Sequence, residues 1–270
     1  DLPGVSEGAL ASVVGKIRND GKYIVHNADE EIVNAKAKEV TEGFLYNRPY
    51  ETQNSDFVEP NFTEPTDYNQ ILIDILSHEN MASREPIFEQ YDKQVQGRVY
   101  TETGLADSGV MAPFNSEKYP EEIRNVGIAL STDHNPRYGL IDPYWGGVNA
   151  VVESMRNVVS VGATPHALSD CLCFGNPEKL YQMWEFVEAV RGVADACHAI
   201  TLKDHPDCAT PIIAGNVSFY NESKNGAIPP SPIVSCLGRL KDVNKTVPAH
   251  FQETDSTLIK IGRASCRERV

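Results

Sequence analysis

Residues 129–165 read ALSTDHNPRYGLIDPYWGGVNAVVESMRNVVSVGATP. An apolar run over 126–130 gives way to Ser131, Thr132, Asp133, His134, Asn135, Pro136, Arg137 and Tyr138. Beyond Gly146 and Gly147, apolar residues return at Val148, Val151, Val152, Met155, Val158 and Val159. That is the i, i+3, i+4, i+7 stripe of a half-buried helix. Strand, polar loop and helix in succession predict a compact α/β unit, and the same reading carries it outward over about 83–238. Residues 167–174 predict a strand. Asn176-Pro177 predicts the N-cap and first position of a long helix. Its buried face would be Leu180, Met183, Trp184, Val187, Val190 and Ala194. Runs 211–217 and 232–237 predict two further strands.

Upstream, 13–17 and 23–26 flank Asn19-Asp20-Gly21, which predicts a hairpin, followed by a partly alternating run over 31–40. Residues 47–67 carry Pro49, Pro60 and Pro65 among polar residues and read as a linker. Ile71, Leu72, Ile75 and Leu76 predict a short helix over 68–76. The last ten residues, IGRASCRERV, fit neither helical nor strand periodicity. They resemble a translated sequencing adapter, the alternative being a natural basic tail, and are kept out of the fold reasoning.

The 270 residues include 38 acidic and 24 basic side chains, a formal charge of −14. Such a surface argues against nucleic-acid backbones and against anionic membranes. No run approaches the roughly 18 apolar residues of a membrane span, and no secretory signal opens the chain. Six cysteines without a CxxC pair read as reduced thiols, so a soluble cytoplasmic protein is expected. The five cysteines outside the tail lack zinc spacing, and Cys171-x-Cys173 would need distant ligands to hold a metal. Neither GxSxG, a Walker loop nor HExxH occurs.

Four features can carry chemistry. Gly146-Gly147 lets backbone amides approach a phosphate at a helix start, or permits a tight turn and close packing. The polar segment 131–138 follows a strand, where α/β sheets hold ligands, and its His134 can act as acid, base or phosphate donor. Asp170 inside an apolar run reads as a nucleotide or Mg²⁺ contact, or as an outward-facing strand residue. In Gly215-Asn216-Val217-Ser218, Asn216 can offer a neutral oxygen to Mg²⁺ and Ser218 a hydrogen bond to substrate; the alternative is an Asx or Ser turn.

The strings EPIFEQYDKQVQGR (85–98), residues 129–165 quoted above, ALSDCLCFGNPEK (167–179), AGNVSFYNE (214–222) and AIPPSPIV (227–234) cover most of 85–240. Together they resemble the phosphoribosylformylglycinamidine synthases, and more narrowly the synthetase subunit of the multi-subunit bacterial enzyme. The resemblance implies an α+β fold of the AIR-synthase-related (PurM-like) type, with a mixed sheet and outer helices. It also implies two related halves, each an N-terminal sheet domain and a C-terminal α/β domain. On that scheme 1–48 ends the first half, 49–84 link the halves and 85–240 form the second N-terminal domain. Residues 241–260 then begin its C-terminal partner, before the adapter-like 261–270.

The implied reaction joins ATP, glutamine-derived ammonia and formylglycinamide ribonucleotide in purine biosynthesis, through an iminophosphate. Asp170 and Gly215 match ATP contacts of the family, Asn216 a Mg²⁺ ligand and Ser218 a substrate contact. The family's catalytic histidines match positions upstream of Asp1, so no catalytic residue is assigned, and the chain alone is not expected to turn over. His134 stands where the family pattern favours cysteine. Implied partners are a glutaminase subunit and a small accessory subunit. The competing expectations are a structural half with a retained nucleotide, or a relative such as AIR synthetase or selenophosphate synthetase.

Overall fold

The computed structural model describes residues 12–43, 45–53, 57–91, 93–102 and 104–259. Cys266 and the adapter-like tail lie outside these residues. The chain divides into two compact units between Arg48 and Pro49. The first holds strands β1 (Lys22–Asn27) and β2 (Glu30–Lys36) and helix α1 (Ala37–Glu42).

Its hairpin is not the expected one. Tyr23 to His26 pair forward with β2, with Val25 opposite Val33, and the chain reverses at Ala28, whose φ is +52°. The Asp20 carboxylate is occupied locally by Arg18 and the Lys22 amide, and the Gly21 carbonyl accepts the Ala37 amide at 2.8 Å. Asn19-Asp20-Gly21 therefore anchors the start of α1, and Val13 and Ile17 lie exposed outside any strand.

In the second unit, 57–67 form no regular element before α2 (Tyr68–Ser77), capped by Asp67, whose carboxylate accepts the Asn69 and Gln70 amides at 3.0 and 3.1 Å. Short α3 (Glu85–Phe88) follows. Strands β3 (Val99–Thr101), β4 (Gly109–Met111) and β5 (Gly127–Asp133) precede helices α4 (Pro136–Ile141) and α5 (Pro143–Ser160). Then come β6 (Thr164–Cys173), α6 (Leu180–Ala199), a β7–β8 ribbon (Thr201–Leu202, His205–Ala209) and β9 (Ile212–Ser218). A β10–β11 ribbon (Glu222–Ser223, Gly226–Ala227) leads into β12 (Ser231–Leu240).

Six strands form one sheet in the order β3-β4-β5-β12-β6-β9. Every neighbouring pair is antiparallel except β6 and β9, which run parallel. This is the mixed sheet of an α+β fold. Parallel neighbours cannot be joined by a hairpin, and α6 supplies the crossover. The core under α5 and α6 is built from Val151, Val158, Leu168, Val193, Val234 and Cys236.

Three sequence expectations change here. Ser131, Thr132 and Asp133 belong to β5 itself, so the polar loop begins only at His134. Gly146 and Gly147 lie inside α5, whose N-cap is Asp142, and the Gly146 amide bonds the Asp142 carbonyl at 2.9 Å. Their amides are thus committed to the helix, and close packing is their role: a Cβ on Gly147 would strike the Ala189 carbonyl. The third change concerns α6, which starts at Leu180, while Asn176 closes the preceding turn by accepting the Glu178 amide. Its buried stripe is Gln182, Glu185, Ala189, Gly192, Val193, Ala196 and Cys197, and both Leu180 and Ala194 are exposed. The stripe is rotated because helix–helix approach selects small residues, with Gly192 against the Tyr144 backbone of α5.

That rotation buries a carboxyl. Glu185 is 7% exposed, and burial lifts its pKa to about 7 against an opposing hydrogen bond from Tyr181. A carboxyl raised on folding favours the protonated native state, so its stabilisation is present below about 4.5 and is lost as pH rises towards 7. Glu185→Gln is therefore expected to raise the unfolding free energy at pH 8 by about 1–3 kcal/mol, with little change at pH 4.5. Urea unfolding at the two pH values checks this.

Candidate functional site

The parallel register sets the site. Asp170 of β6 lies opposite Gly215 of β9, Cys171 opposite Asn216 and Cys173 opposite Ser218. Side chains alternate across a strand, so these pairs fall on two faces. Asp170 and Gly215 share the face covered by α6, where burial, and secondarily the Asp170 charge, raise the thiol pKa of Cys197. Asn216 and Ser218 share the open face with Cys171 and Cys173. The sheet thus brings the four expected residues onto adjoining positions of two strands but separates them into two pairs. Both faces meet at the outer edge of β9, the last strand of the sheet.

Gly215 is required by its neighbour, because a Cβ there would run into the Asp170 carboxylate. Burial raises the Asp170 pKa, and the Asn216 backbone amide partly offsets that by hydrogen-bonding the ionised form. The same cross-strand row continues through Val234 of β12 to Asp133 of β5. Asn157 of α5 donates to Asp133 Oδ1 at 2.8 Å, while Asp133 Oδ2 and both ring nitrogens of His134 are buried without a partner. Burial pushes the Asp133 pKa up and the His134 pKa down. His134 thus sits beyond the end of β5, apart from the β6–β9 pair.

On the open face, Asn216 Nδ2 lies 4.0 Å from Cys171 Sγ. Ser218 is fixed by a residue that sequence reasoning passed over. Asn221 Nδ2 donates to Ser218 Oγ at 3.1 Å, to the Ser218 carbonyl at 2.9 Å and to the Phe174 carbonyl at 3.0 Å. The loops leaving β6 and β9 are also joined by backbone bonds, Phe174 amide to Ser218 carbonyl and Tyr220 amide to Gly175 carbonyl, both 2.9 Å. Tyr220 holds φ at +61° to make this turn. Phe174 and Phe219, one from each loop, meet Phe186 of α6 edge-on at 5.3 and 4.9 Å between centroids. Asn221 lies within the AGNVSFYNE string, and the Asx-turn preference of asparagine is the signal that would have found it.

As a metal centre the set is sparse. Asn216 contributes one neutral oxygen, Asp170 is on the other face, and among the described residues no group of three His, Cys, Asp or Glu can hold an ion. The donors fit Mg²⁺ only as an ion that takes most of its ligands from phosphate oxygens and water.

The model of the AIR synthase related protein N-terminal domain matches residues 107–240. The phosphoribosylformylglycinamidine synthase subunit PurL of Methanothrix thermoacetophila is 47% identical over 262 residues, covering 97% of this chain and 33% of that protein. The chain belongs to the phosphoribosylformylglycinamidine synthase family. The PurL subunit of Mycobacteroides abscessus is 38% identical, over 94% of this chain and 32% of its own length. The chain therefore spans about a third of the length of the curated relatives it matches. Among solved structures, Thermotoga maritima PurLQS aligns with a TM-score of 0.61 at 24% identity, over 85% of this chain and 33% of that one. Thermotoga maritima PurL complexed with ATP aligns at 0.58 and 22%, over 84% and 32%. Both share the fold.

Asn221→Ala removes the side-chain bond to the Phe174 carbonyl that ties the two loops together, and the bonds to Ser218 that brace the end of β9. It is expected to cost about 1–2 kcal/mol and to speed amide hydrogen exchange over 218–221. Exchange followed by NMR, with denaturant unfolding, checks both.

Proposed function

We propose that this chain acts within a longer synthetase that converts formylglycinamide ribonucleotide and ammonia into formylglycinamidine ribonucleotide, at the expense of ATP, in purine biosynthesis. The observation that carries this reading is the 47% identity to a phosphoribosylformylglycinamidine synthase subunit across 97% of the chain. Structures of Thermotoga maritima PurL with ATP and with FGAR align with the same chain and support it. In this proposal, residues 85–240 are the N-terminal domain of the second half and 49–84 the connection between halves. Residues 1–48 and 241–260 then belong to the flanking C-terminal domains. Ammonia comes from a glutaminase subunit, a small accessory subunit assists, and the assembly is cytoplasmic. Among the described residues no helix is long and apolar enough to cross a membrane.

When bound, ATP with Mg²⁺ supplies the phosphoryl group that turns an amide oxygen, a very poor leaving group, into a good one. The chain's own residues orient and polarise. Asp170 is the acceptor for donors of the nucleotide, and Gly215, free of a side chain, leaves the strand edge open beside it. Asn216 turns its amide oxygen to the nucleotide-bound Mg²⁺. Ser218, its hydroxyl held by Asn221, meets a polar group of the ribonucleotide. None of the four carries a positive charge, so neutralisation of the phosphates falls to the metal and to residues outside this set. A ligand that touches all four must lie along the outer edge of β9.

The test is ADP release by the full-length synthetase carrying this chain, with ATP, Mg²⁺, ammonia and formylglycinamide ribonucleotide omitted in turn. Release is expected to need all four. Asn216→Ala is expected to lower turnover by about 10- to 100-fold, the loss of one ligand to a charged group. ADP retained without ribonucleotide-dependent release would instead favour a structural half.

A further inference from the structure

Ser218 ends β9 half-buried, and Asn221 reaches back to it across the turn at Tyr220. Asn221 Nδ2 lies 3.0 Å from the Phe174 carbonyl, 2.9 Å from the Ser218 carbonyl and 3.1 Å from Ser218 Oγ. We propose that Asn221 is a positioning residue that commits the Ser218 hydroxyl to donate its hydrogen bond, so that the ribonucleotide group met by Ser218 is an acceptor oxygen and not an N–H. This rests on the synthetase reading above, in which the ribonucleotide reaches Ser218.

The orientation of the Asn221 amide follows from its partners. Turned the other way, its Oδ1 would face the Phe174 and Ser218 carbonyl oxygens, neither of which can donate. The nitrogen end therefore meets both, and it carries two protons for three oxygens. Ser218 Oγ can only accept from that nitrogen, because an amide NH₂ donates and does not accept. The hydroxyl's own proton must point elsewhere. Asn221 Oδ1 is within reach at 3.3 Å, longer than the roughly 2.5–3.0 Å of a good O–H···O bond. The proton is thus weakly held and can turn to an incoming oxygen at little cost.

Asn221 can do this because its own backbone is pinned. Its amide donates to the Phe174 carbonyl at 3.2 Å, and its carbonyl accepts the Ile228 amide at 3.0 Å. The side chain therefore holds its place before any ligand arrives. Formylglycinamide ribonucleotide carries two kinds of polar group, the N–H groups of its amides and the oxygens of its carbonyls, ribose and phosphate. A serine free to rotate can satisfy either kind. Ser218, held in this way, selects an oxygen, since an N–H in its place would set donor against donor in a half-buried position.

The test is a double-mutant cycle on ribonucleotide affinity, read by calorimetry on the full-length synthetase carrying this chain. Ser218→Ala is expected to weaken binding about 10-fold, and Asn221→Ala about 3- to 10-fold. In the Ser218→Ala background, Asn221→Ala is expected to change affinity by less than about 2-fold, because no hydroxyl remains to be oriented. A merely structural role would cost the same factor in both backgrounds, and that additivity would overturn the proposal. A second measurement needs no substitution. In a structure of the unaltered synthetase with the ribonucleotide bound, a ligand oxygen is expected within about 3 Å of Ser218 Oγ; an amide nitrogen there would contradict the proposal. Failure of the unaltered protein to bind the ribonucleotide would sink the synthetase reading itself, whereas additivity or a nitrogen contact in a protein that does bind it would sink only the role given to Asn221.

Discussion

The parallel pairing of β6 with β9 is the constraint on which the rest of the second unit depends. All other neighbours in the six-stranded sheet are antiparallel. A parallel neighbour forces a crossover, and α6 with the β7–β8 ribbon is that crossover. To return the chain beside β6, α6 must lie close against α5, and Gly147 and Gly192 make the approach possible. The same pairing sends the carboxyl ends of both strands to one place, where Phe174 and Phe219 converge on Phe186. One register therefore fixes the helix layer, the loop pair and the positions of Asp170, Gly215, Asn216 and Ser218.

That register also explains the chemistry open to each residue. On the helix face, low polarity raises the Asp170 pKa, and the absence of a side chain at Gly215 gives the carboxylate room. Across the sheet, exposure leaves Asn216 open to hard oxygen-rich ligands, with the half-buried Ser218 hydroxyl and the thiols of Cys171 and Cys173 beside it. The two kinds of donor are neighbours because strand alternation places residues 171, 173, 216 and 218 on one side. In the proposed function, four uncharged or anionic residues suit a nucleotide already complexed to a cation, rather than a bare phosphate.

Local patterns in the sequence marked β6, β9, β12, α2 and α5, because period-2 and period-3.6 apolar spacing belongs to each segment separately. What needed the fold was every statement about partners. Tyr23 to His26 could pair backward or forward, and the structure pairs them forward with β2. Apolar bulk suggested that Leu180, Met183 and Trp184 face inward on α6, yet tight helix contact selected Ala189 and Gly192 and drew Glu185 in with them. The string around Gly215 pointed to a site. Its division over two faces follows from a parallel partner 45 residues away in sequence from Asp170, which no local pattern reveals. Asn221 was passed over because its long-range partner is a backbone carbonyl, that of Phe174 on another loop.

The account turns on the Asp170–Gly215 contact across β6 and β9, and a double-mutant cycle on unfolding free energy tests it directly. With Asp170 present, Gly215→Ala is expected to destabilise the chain, because the new methyl group displaces the carboxylate. In an Asp170→Ala background the same change is expected to be neutral or slightly stabilising, as Gly to Ala is in an unobstructed strand. A coupling energy of about 1 kcal/mol or more is the expected result. Additivity within about 0.3 kcal/mol would mean that the two residues are not in contact, and would contradict the register from which the site is built.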